Sequence, residues 1–293
     1  MSELFIGLGL RFARGLGALP FELRRRLGGV LGTLLYYLAT PRRRVAQANL
    51  GLCFPGWTPA EVRTICRAHF RAYASAFLDR FELFACEASV LRERVSLVGV
   101  EHLDRLDNAR IIILAPHFLG LDAGGVRIQL ERQIVSLYSD QSSASLNEWI
   151  LKGRSRFNEP ILISRREGIG RLARLVKKGK TAYFLPDMDF GERDAVFAPF
   201  FGQPAATVTS VVRLAQMTGA QILPLVTRLT PSGYEARFYE VWSHEPTESL
   251  EVGVRRMNAF IEARVLESPA QYLWTHRRFK TRPEGHAPVY DRR

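Results

Sequence analysis

The chain of 293 residues has only three cysteines, Cys53, Cys66 and Cys86, an odd number confined to its first third. Their spacing fits no metal-ligand pattern, so they are expected as small, buried, reduced thiols of a cytosolic setting. No metal or cofactor is expected. A G-x-S-x-G elbow is missing, which removes the usual serine nucleophile. Internal repeats, low-complexity tracts and flexible linkers are also missing, which predicts one compact body. Acidic residues are the scarcer charge: 29 Asp+Glu against 41 Lys+Arg give a net charge of +12. Such a balance favours an anionic partner: nucleic acid, an acidic membrane or an acidic carrier protein. The basic residues are spread along the chain instead of interleaved with aromatics in a compact patch, which argues against nucleic acid.

With 47% hydrophobic residues, the chain can build one large α/β domain plus a smaller appendage. Residues 4–23 are apolar and glycine-rich but carry Arg11, Arg14 and Glu22, and no small-residue cleavage site follows, so a signal peptide is not expected. Residues 27–41 lie between the triplets Arg24–Arg26 and Arg42–Arg44. As a helix they reach about 22 Å, short of the ~30 Å hydrocarbon core. An interfacial helix, or a pair of them, is therefore expected, with arginines at the headgroups and Tyr36 and Tyr37 at the interface. A buried helical hairpin is the alternative.

Thr58, Pro59 and Glu61 form a capping box that should open a long helix, whose apolar face runs from Val62 to Phe84. From about residue 95, short apolar runs alternate with helical segments, the signature of a mainly parallel sheet. Strands are expected at Ile111–Ala115, Ile134–Tyr138, Ile161–Ser164, Thr181–Leu185 and Ile222–Val226. Helices are expected over 142–156, 167–179, 207–218 and 249–266. Residues 234–242 alternate like a half-exposed antiparallel strand near an edge. The predicted organisation is α/β: an N-terminal helical, membrane-associating section (1–90) and an α/β core (91–293).

The segment 111–125 carries the candidate chemistry. An apolar strand ends at Pro116, and His117 and Asp122 follow where open α/β sheets place their ligands. Five residues of helix turn through about 500°, so the two side chains meet only if His117 sits in the loop. Pro116 disfavours helix there, and Gly120 lets the turn tighten. Asp122 would then orient the imidazole, leaving its other nitrogen to take a proton from an alcohol. A capped helix start with an incidental histidine remains open.

Residues 115–125 (APHFLGLDAGG) resemble the acyltransferase block of the lipid A biosynthesis acyltransferases, the lauroyl and myristoyl transferases of late lipopolysaccharide assembly. Residues 177–201, with Pro186-Asp187-Met188-Asp189, residues 204–209 (PAATVT) and residues 269–283 (PAQYLWTHRRFKTRP) resemble further blocks of the same family in the same order. The resemblance implies an O-acyltransferase at the cytoplasmic face of the cell inner membrane. Its donor would be an acyl-acyl-carrier-protein thioester and its acceptor a hydroxyl of a phosphorylated lipid A precursor. His117 would be general base, Asp122 its partner, and no acyl-enzyme would form. It also implies that Arg166 acts with Asp187 on the acceptor or the thioester oxygen; a structural Arg–Asp pair is the alternative. Asp189 and Gly191 share that loop, and Gly191 is expected at positive φ. Gln271, Tyr272, Trp274, His276, Arg277, Arg278 and Lys280 are expected to form a phosphate-facing or interfacial surface, or else a solvated basic tail. Met188 departs from the polar residue or histidine of many relatives. Another lipid acceptor, or a non-catalytic lipid-binding protein, are the competing readings. Acyl-chain length and oligomeric state leave no mark in the sequence.

Overall fold

In the computed structural model, which describes residues 15–106, 109–242 and 249–290 together with Gly7 and Gly9, helical residues 15–17 are followed by the helices α1 (Phe21–Leu38), α2 (Thr40–Cys53) and α3 (Pro59–Leu83). Then follow α4 (Ala88–Arg94), β1 (Val95–Val98), α5 (Glu101–Asp104), β2 (Ile111–Leu114), α6 (Leu121–Ile128) and β3 (Ile134–Tyr138). Next are α7 (Ala144–Arg154), β4 (Ile161–Ser164), α8 (Ile169–Lys177), β5 (Thr181–Phe184), β6 (Ala195–Phe200) and β7 (Gln203–Val208). The chain closes with α9 (Ser210–Thr218), β8 (Gln221–Thr230), β9 (Gly233–Phe238) and α10 (Leu250–Glu267).

Seven strands form one sheet in the order β1-β9-β8-β2-β5-β3-β4, and β6 and β7 make a separate antiparallel hairpin. Five of the seven run parallel; β9 is antiparallel to β8 and parallel to β1. The mainly parallel sheet thus stands as expected. β9 lies one strand in from the edge, because β1 covers it. The helix expected over 207–218 starts only at Ser210, since residues 203–208 belong to the hairpin.

Strand β2 is the centre of the sheet and is buried on both faces, which is why it reads as a continuous apolar run. Ile112 and Leu114 face a core shared with α2, α3, α8, α9 and α10. Ile111 and Ile113 face the opposite core, with α4 and α6. Helix α3 begins with the expected capping box: the Glu61 N–H donates to Thr58 Oγ1 (3.3 Å) and the Thr58 N–H to Glu61 Oε2 (2.7 Å).

Helix α1 packs along α3 through its glycines. A Cβ on Gly28 would lie 2.6 Å from Ser75 Cα, and one on Gly32 would lie 2.4 Å from Arg71 Cα, so only glycine permits this approach. The arginines expected at headgroups partly turn inward instead. Arg24 is fully buried: its Nε donates to Asp79 Oδ1 (2.9 Å), its Nη1 to the carbonyls of Gly17 and Leu19, and its Nη2 pairs with Glu82. Arg25 Nε pairs with Asp79 Oδ2 (2.8 Å), which also accepts from the Tyr234 hydroxyl (2.7 Å). The physical reason is Asp79, a buried carboxylate that needs cations around it. Tyr36 is likewise buried, while Tyr37 is exposed. The outward face of α1 carries Leu23, Leu27, Val30, Leu31, Leu34, Tyr37 and Leu38, all exposed. No helix among the described residues is long and apolar enough to cross a membrane. The expectation for residues 4–14 falls, except at Gly7 and Gly9, outside the described residues.

Because Asp79 balances two cations and a phenol across three elements, Asp79→Ala should cost about 3–5 kcal/mol. Urea unfolding followed by circular dichroism checks this, and an unchanged midpoint would remove Asp79 from the docking of α1.

Candidate active site

Two neighbouring parallel strands end alike. Strand β2 runs into Ala115-Pro116-His117 and β5 into Leu185-Pro186-Asp187. Their register pairs Leu114 with Phe184, and the ladder continues one step as the Ala115 N–H donates to Phe184 O (2.8 Å). Each strand then meets a proline, which has no N–H to continue the ladder. His117 and Asp187 therefore arrive at the same level. The Asp187 carboxylate accepts from the His117 backbone N–H (2.9 Å to Oδ2) and from the imidazole Nδ1 (2.7 Å to Oδ1). A carboxylate only accepts, so Nδ1 carries a hydrogen, and in the neutral ring Nε2 has the lone pair. Burial pushes the Asp187 carboxyl up, but the charge of His117, the hydrogen bonds from its ring and backbone, and Arg278 outweigh it and hold the group below the usual carboxylate range.

Asp122 lies within electrostatic reach of His117, whose charge helps hold its carboxyl down, but makes no hydrogen bond to it among the described residues. It lies on the first turn of α6, as expected, but its carboxylate is taken by Arg154 (Nε to Oδ1, 2.8 Å) and Arg80 (Nε to Oδ2, 2.7 Å). That face of α6 looks toward α3 and α7, which supply the two cations. Gly120 sits, as expected, in a tight turn that the Leu121 N–H closes on Phe118 O (3.0 Å); a Cβ there would lie 2.6 Å from Thr227 O, and one on Gly124 would strike Thr227 Oγ1, so these glycines also let α6 run close to β8. Arg166 does not meet Asp187 either. It follows β4, which is separated from β5 by β3, so about 10 Å of sheet lies between them. Its side chain is exposed, and its neighbour Arg165 instead lines the cavity, over the Phe190 ring. Arg80 and Arg154 were not foreseen; both sit in ordinary helical charge patterns with nothing local to mark them.

Residues 269–281 act as a strap, not as the phosphate-facing surface or basic tail expected. Tyr272, Trp274, Arg278 and Phe279 are buried. Phe118 bridges Tyr272, the Leu273 N–H donates to His117 O (3.0 Å), and the Leu119 N–H donates to Gln271 O (2.9 Å). Arg278 donates to Ala206 O and Thr207 Oγ1. The strap also holds the Asp187 loop. Asp189 accepts from the Thr281 N–H and hydroxyl (both 2.7 Å) and from Gly191 N–H, while its own N–H donates to His276 Nε2 (2.9 Å). Gly191 has φ +99°, as expected. Only Arg277 and Lys280 of the block are exposed.

His117 opens on a cavity of about 430 Å³, walled largely by apolar side chains including Leu121, Val126, Ile134, Leu137, Ile150 and Leu162, with Met188 and Phe190 beside it. That size suits a small-molecule or single-chain ligand. Among the described residues, nothing hydrogen-bonds to His117 Nε2, and no group of acidic, His and Cys side chains could hold a metal. Cys53 and Cys66 are buried far from thiolate behaviour; burial pushes the Cys66 thiol up to about 12, against the opposing charge of Arg43.

A histidine fixed by a buried carboxylate thus opens on an apolar cavity at the strands' carboxyl ends. The sequence matches the family described as bacterial lipid A biosynthesis acyltransferase over residues 2–281. A "Lipid A biosynthesis acyltransferase" of Haemophilus influenzae is 31% identical over 98% of this chain and 90% of its own length. The "Lipid A biosynthesis lauroyltransferase" of Escherichia coli is 30% identical over 91% of this chain and 88% of its own, and the "Lipid A biosynthesis palmitoleoyltransferase" of the same organism 30% over 93% and 90%. The chain belongs to the bacterial lipid A biosynthesis acyltransferase family and is an O-acyltransferase.

Two imidazoles, the buried His69 and the half-buried His276, contribute to its acid response. Burial pushes His69 down to about 4, and burial, with His117 and Arg278, pushes His276 down to about 4. Both folded values lie below the ordinary 6.5, so the neutral forms are favoured. Their stabilisation is complete above pH 6.5 and is lost as pH falls toward 4, about 3 kcal/mol each. His69→Leu and His276→Gln should each flatten the fall in Tm between pH 6.5 and 4; equal slopes in variant and parent would remove these residues from the acid response.

Proposed function

We propose that the enzyme moves a fatty acyl chain from an acyl-acyl-carrier-protein thioester to a hydroxyl of a lipid A precursor. The carrying observation is the His117–Asp187 pair at the wall of an apolar cavity. His117 Nε2 takes the proton as the acceptor oxygen attacks the thioester carbonyl; the C–S bond breaks, and the imidazolium returns the proton to the leaving thiolate. Asp187 holds the ring in the required tautomer and stabilises the charge it gains. No acyl-enzyme forms on this route, in keeping with cysteines that all lie outside the cavity lining, Cys53 and Cys66 buried and Cys86 half-buried.

Surface chemistry supports the two partners. Arg165, Arg166, Arg171, Arg174, Lys177 and Lys178 form an exposed basic strip leading away from the cavity, suited to an acidic carrier protein. Arg166 acts in this reading as a docking cation. The exposed apolar face of α1, flanked by exposed Arg26, Arg42 and Arg44, suits attachment to an anionic bilayer without crossing it, at the cytoplasmic face of the inner membrane. Residues 1–90 would then be the membrane-facing section and 91–293 the catalytic core.

In a purified assay with acyl-carrier-protein thioester and lipid A precursor, read by mass spectrometry, His117→Ala and Asp187→Asn should each lower turnover by about 10²–10⁴-fold. Unchanged transfer by His117→Ala would sink the mechanism, and addition of the chain only to phospholipids would move the acceptor elsewhere. The triple variant Leu27→Asn, Val30→Asn, Leu34→Asn should lose flotation with vesicles containing anionic lipid; full retention would contradict attachment through α1.

A further inference from the structure

We infer that Arg43, Arg67 and Arg71, lined up along one flank of α1, form a site for the headgroup phosphates of an anionic phospholipid leaflet. This rests on the attachment through α1 proposed above and adds the polar half of the grip.

The charge in this part of the chain is unbalanced from the start. Residues 23–60 hold six arginines and no aspartate or glutamate. Helix α3 continues with Arg63, Arg67 and Arg71, spaced four apart and all exposed, and no acid follows Glu61 until Asp79. Like charges four apart on a helix repel. Glu61 is engaged at the helix start, where its carboxylate accepts from the N–H and hydroxyl of Thr58 (2.7 and 2.8 Å).

Packing gathers this charge beside α1. The close approach at the glycines runs α1 antiparallel to α3, with Gly28 against Ser75 and Gly32 against Arg71. Arg71 Nη1 therefore reaches Thr33 Oγ1 (3.3 Å), and its Nη2 lies 3.2 Å from where a Cβ on Gly29 would stand. One turn further along, the guanidinium carbons of Arg43 and Arg67 stand 5.2 and 5.4 Å from the centre of the Tyr36 ring. Arg43 Nη1 also donates to Tyr36 O (2.8 Å). Gly29, Thr33 and Tyr36 recur at the spacing of one helix face, so the three cations form a row along the α1 axis. Among the described residues, none of the three meets a carboxylate.

The adjoining face of α1 is the exposed stripe of Val30, Leu34, Tyr37 and Leu38. A row of guanidinium forks beside an apolar stripe matches the boundary of a bilayer, where acyl chains and phosphates lie side by side. A nucleic acid or an acidic protein supplies the anions but not the apolar phase. The Tyr36 ring and Thr33 hold the forks in place, so less side-chain freedom is lost when a phosphate is bound.

Flotation with vesicles of phosphatidylcholine, with and without phosphatidylglycerol, tests this. The parent should bind both and prefer the anionic ones. The variant Arg43→Gln, Arg67→Gln, Arg71→Gln should lose about 100-fold in partition onto anionic vesicles while keeping its partition onto neutral ones. Arg67→Gln alone removes a side chain with no hydrogen bond among the described residues, and should lose about fivefold. Removing the same charge from exposed arginines elsewhere, in Arg92→Gln, Arg105→Gln, Arg213→Gln, should leave both partitions at the parent's. An equal loss in that control would overturn the site in favour of diffuse attraction. An unchanged anionic preference in the site variant, or equal losses on both vesicles, would overturn it too. So would loss of carrier-protein or oligonucleotide binding with vesicle binding intact, which would give the row to that partner. Should the parent bind neither vesicle, attachment through α1 fails by itself. Calorimetric titration with soluble dihexanoyl phosphatidylglycerol then decides the site: binding weakened by Arg67→Gln supports it, and binding equal to the parent's, or absent from it, overturns it. Circular dichroism on each variant separates these effects from misfolding.

Discussion

The site depends on one register. Strands β2 and β5 are hydrogen-bonded neighbours with Leu114 beside Phe184, and each ends in a proline followed by a polar residue. A shift of one residue between them would turn successive side chains to opposite faces and part the imidazole from its carboxylate. The central position of β2, sealed by apolar layers above and below, is what keeps that register from slipping.

Everything around the pair serves to hold it. The strap from Pro269 to Thr281 bonds to the backbone of His117 and Leu119 on one side and to Asp189 on the other. Tyr272 is buried against Asp187, and burial together with that carboxylate's charge pushes its phenol well above the ordinary range. Arg278 joins the strap to the β6–β7 hairpin through Ala206 and Thr207. Polar atoms of this kind are tolerated inside because nearly all find partners, and such networks rigidify what they connect.

Much of the fold was legible. Short apolar runs bounded by polar or turn residues mark strands, so β3 and β4 stand where the sequence put them, residue for residue, and the fully buried β2 and β5 within one. The capping box at Thr58 and the positive φ of Gly191 are local chemistry and were equally readable. Partnerships were not. His117 and Asp187 are 70 residues apart, and β3 and β4 intervene in the chain, so nothing local joins them. The shared ending, Ala115-Pro116-His117 and Leu185-Pro186-Asp187, is the one clue; it speaks only once β2 and β5 are known to be neighbours. Arg24 looked like a surface charge because its sequence neighbours are arginines, and only Asp79, 55 residues on, takes it inside. The C-terminal block looked like a basic face because its buried members satisfy their polar groups with distant backbone.

The two aspartates are engaged differently, and this is the centre of the account: Asp187 hydrogen-bonds the His117 imidazole, and Asp122 pairs with Arg80 and Arg154. The most direct measurement is proton and nitrogen NMR of the imidazole of His117, labelled at histidine, in the parent, Asp187→Asn and Asp122→Asn. A strongly downfield Nδ1–H resonance should be present in the parent, persist in Asp122→Asn and vanish or move sharply upfield in Asp187→Asn. Loss of that resonance in Asp122→Asn, with its survival in Asp187→Asn, would contradict the assignment.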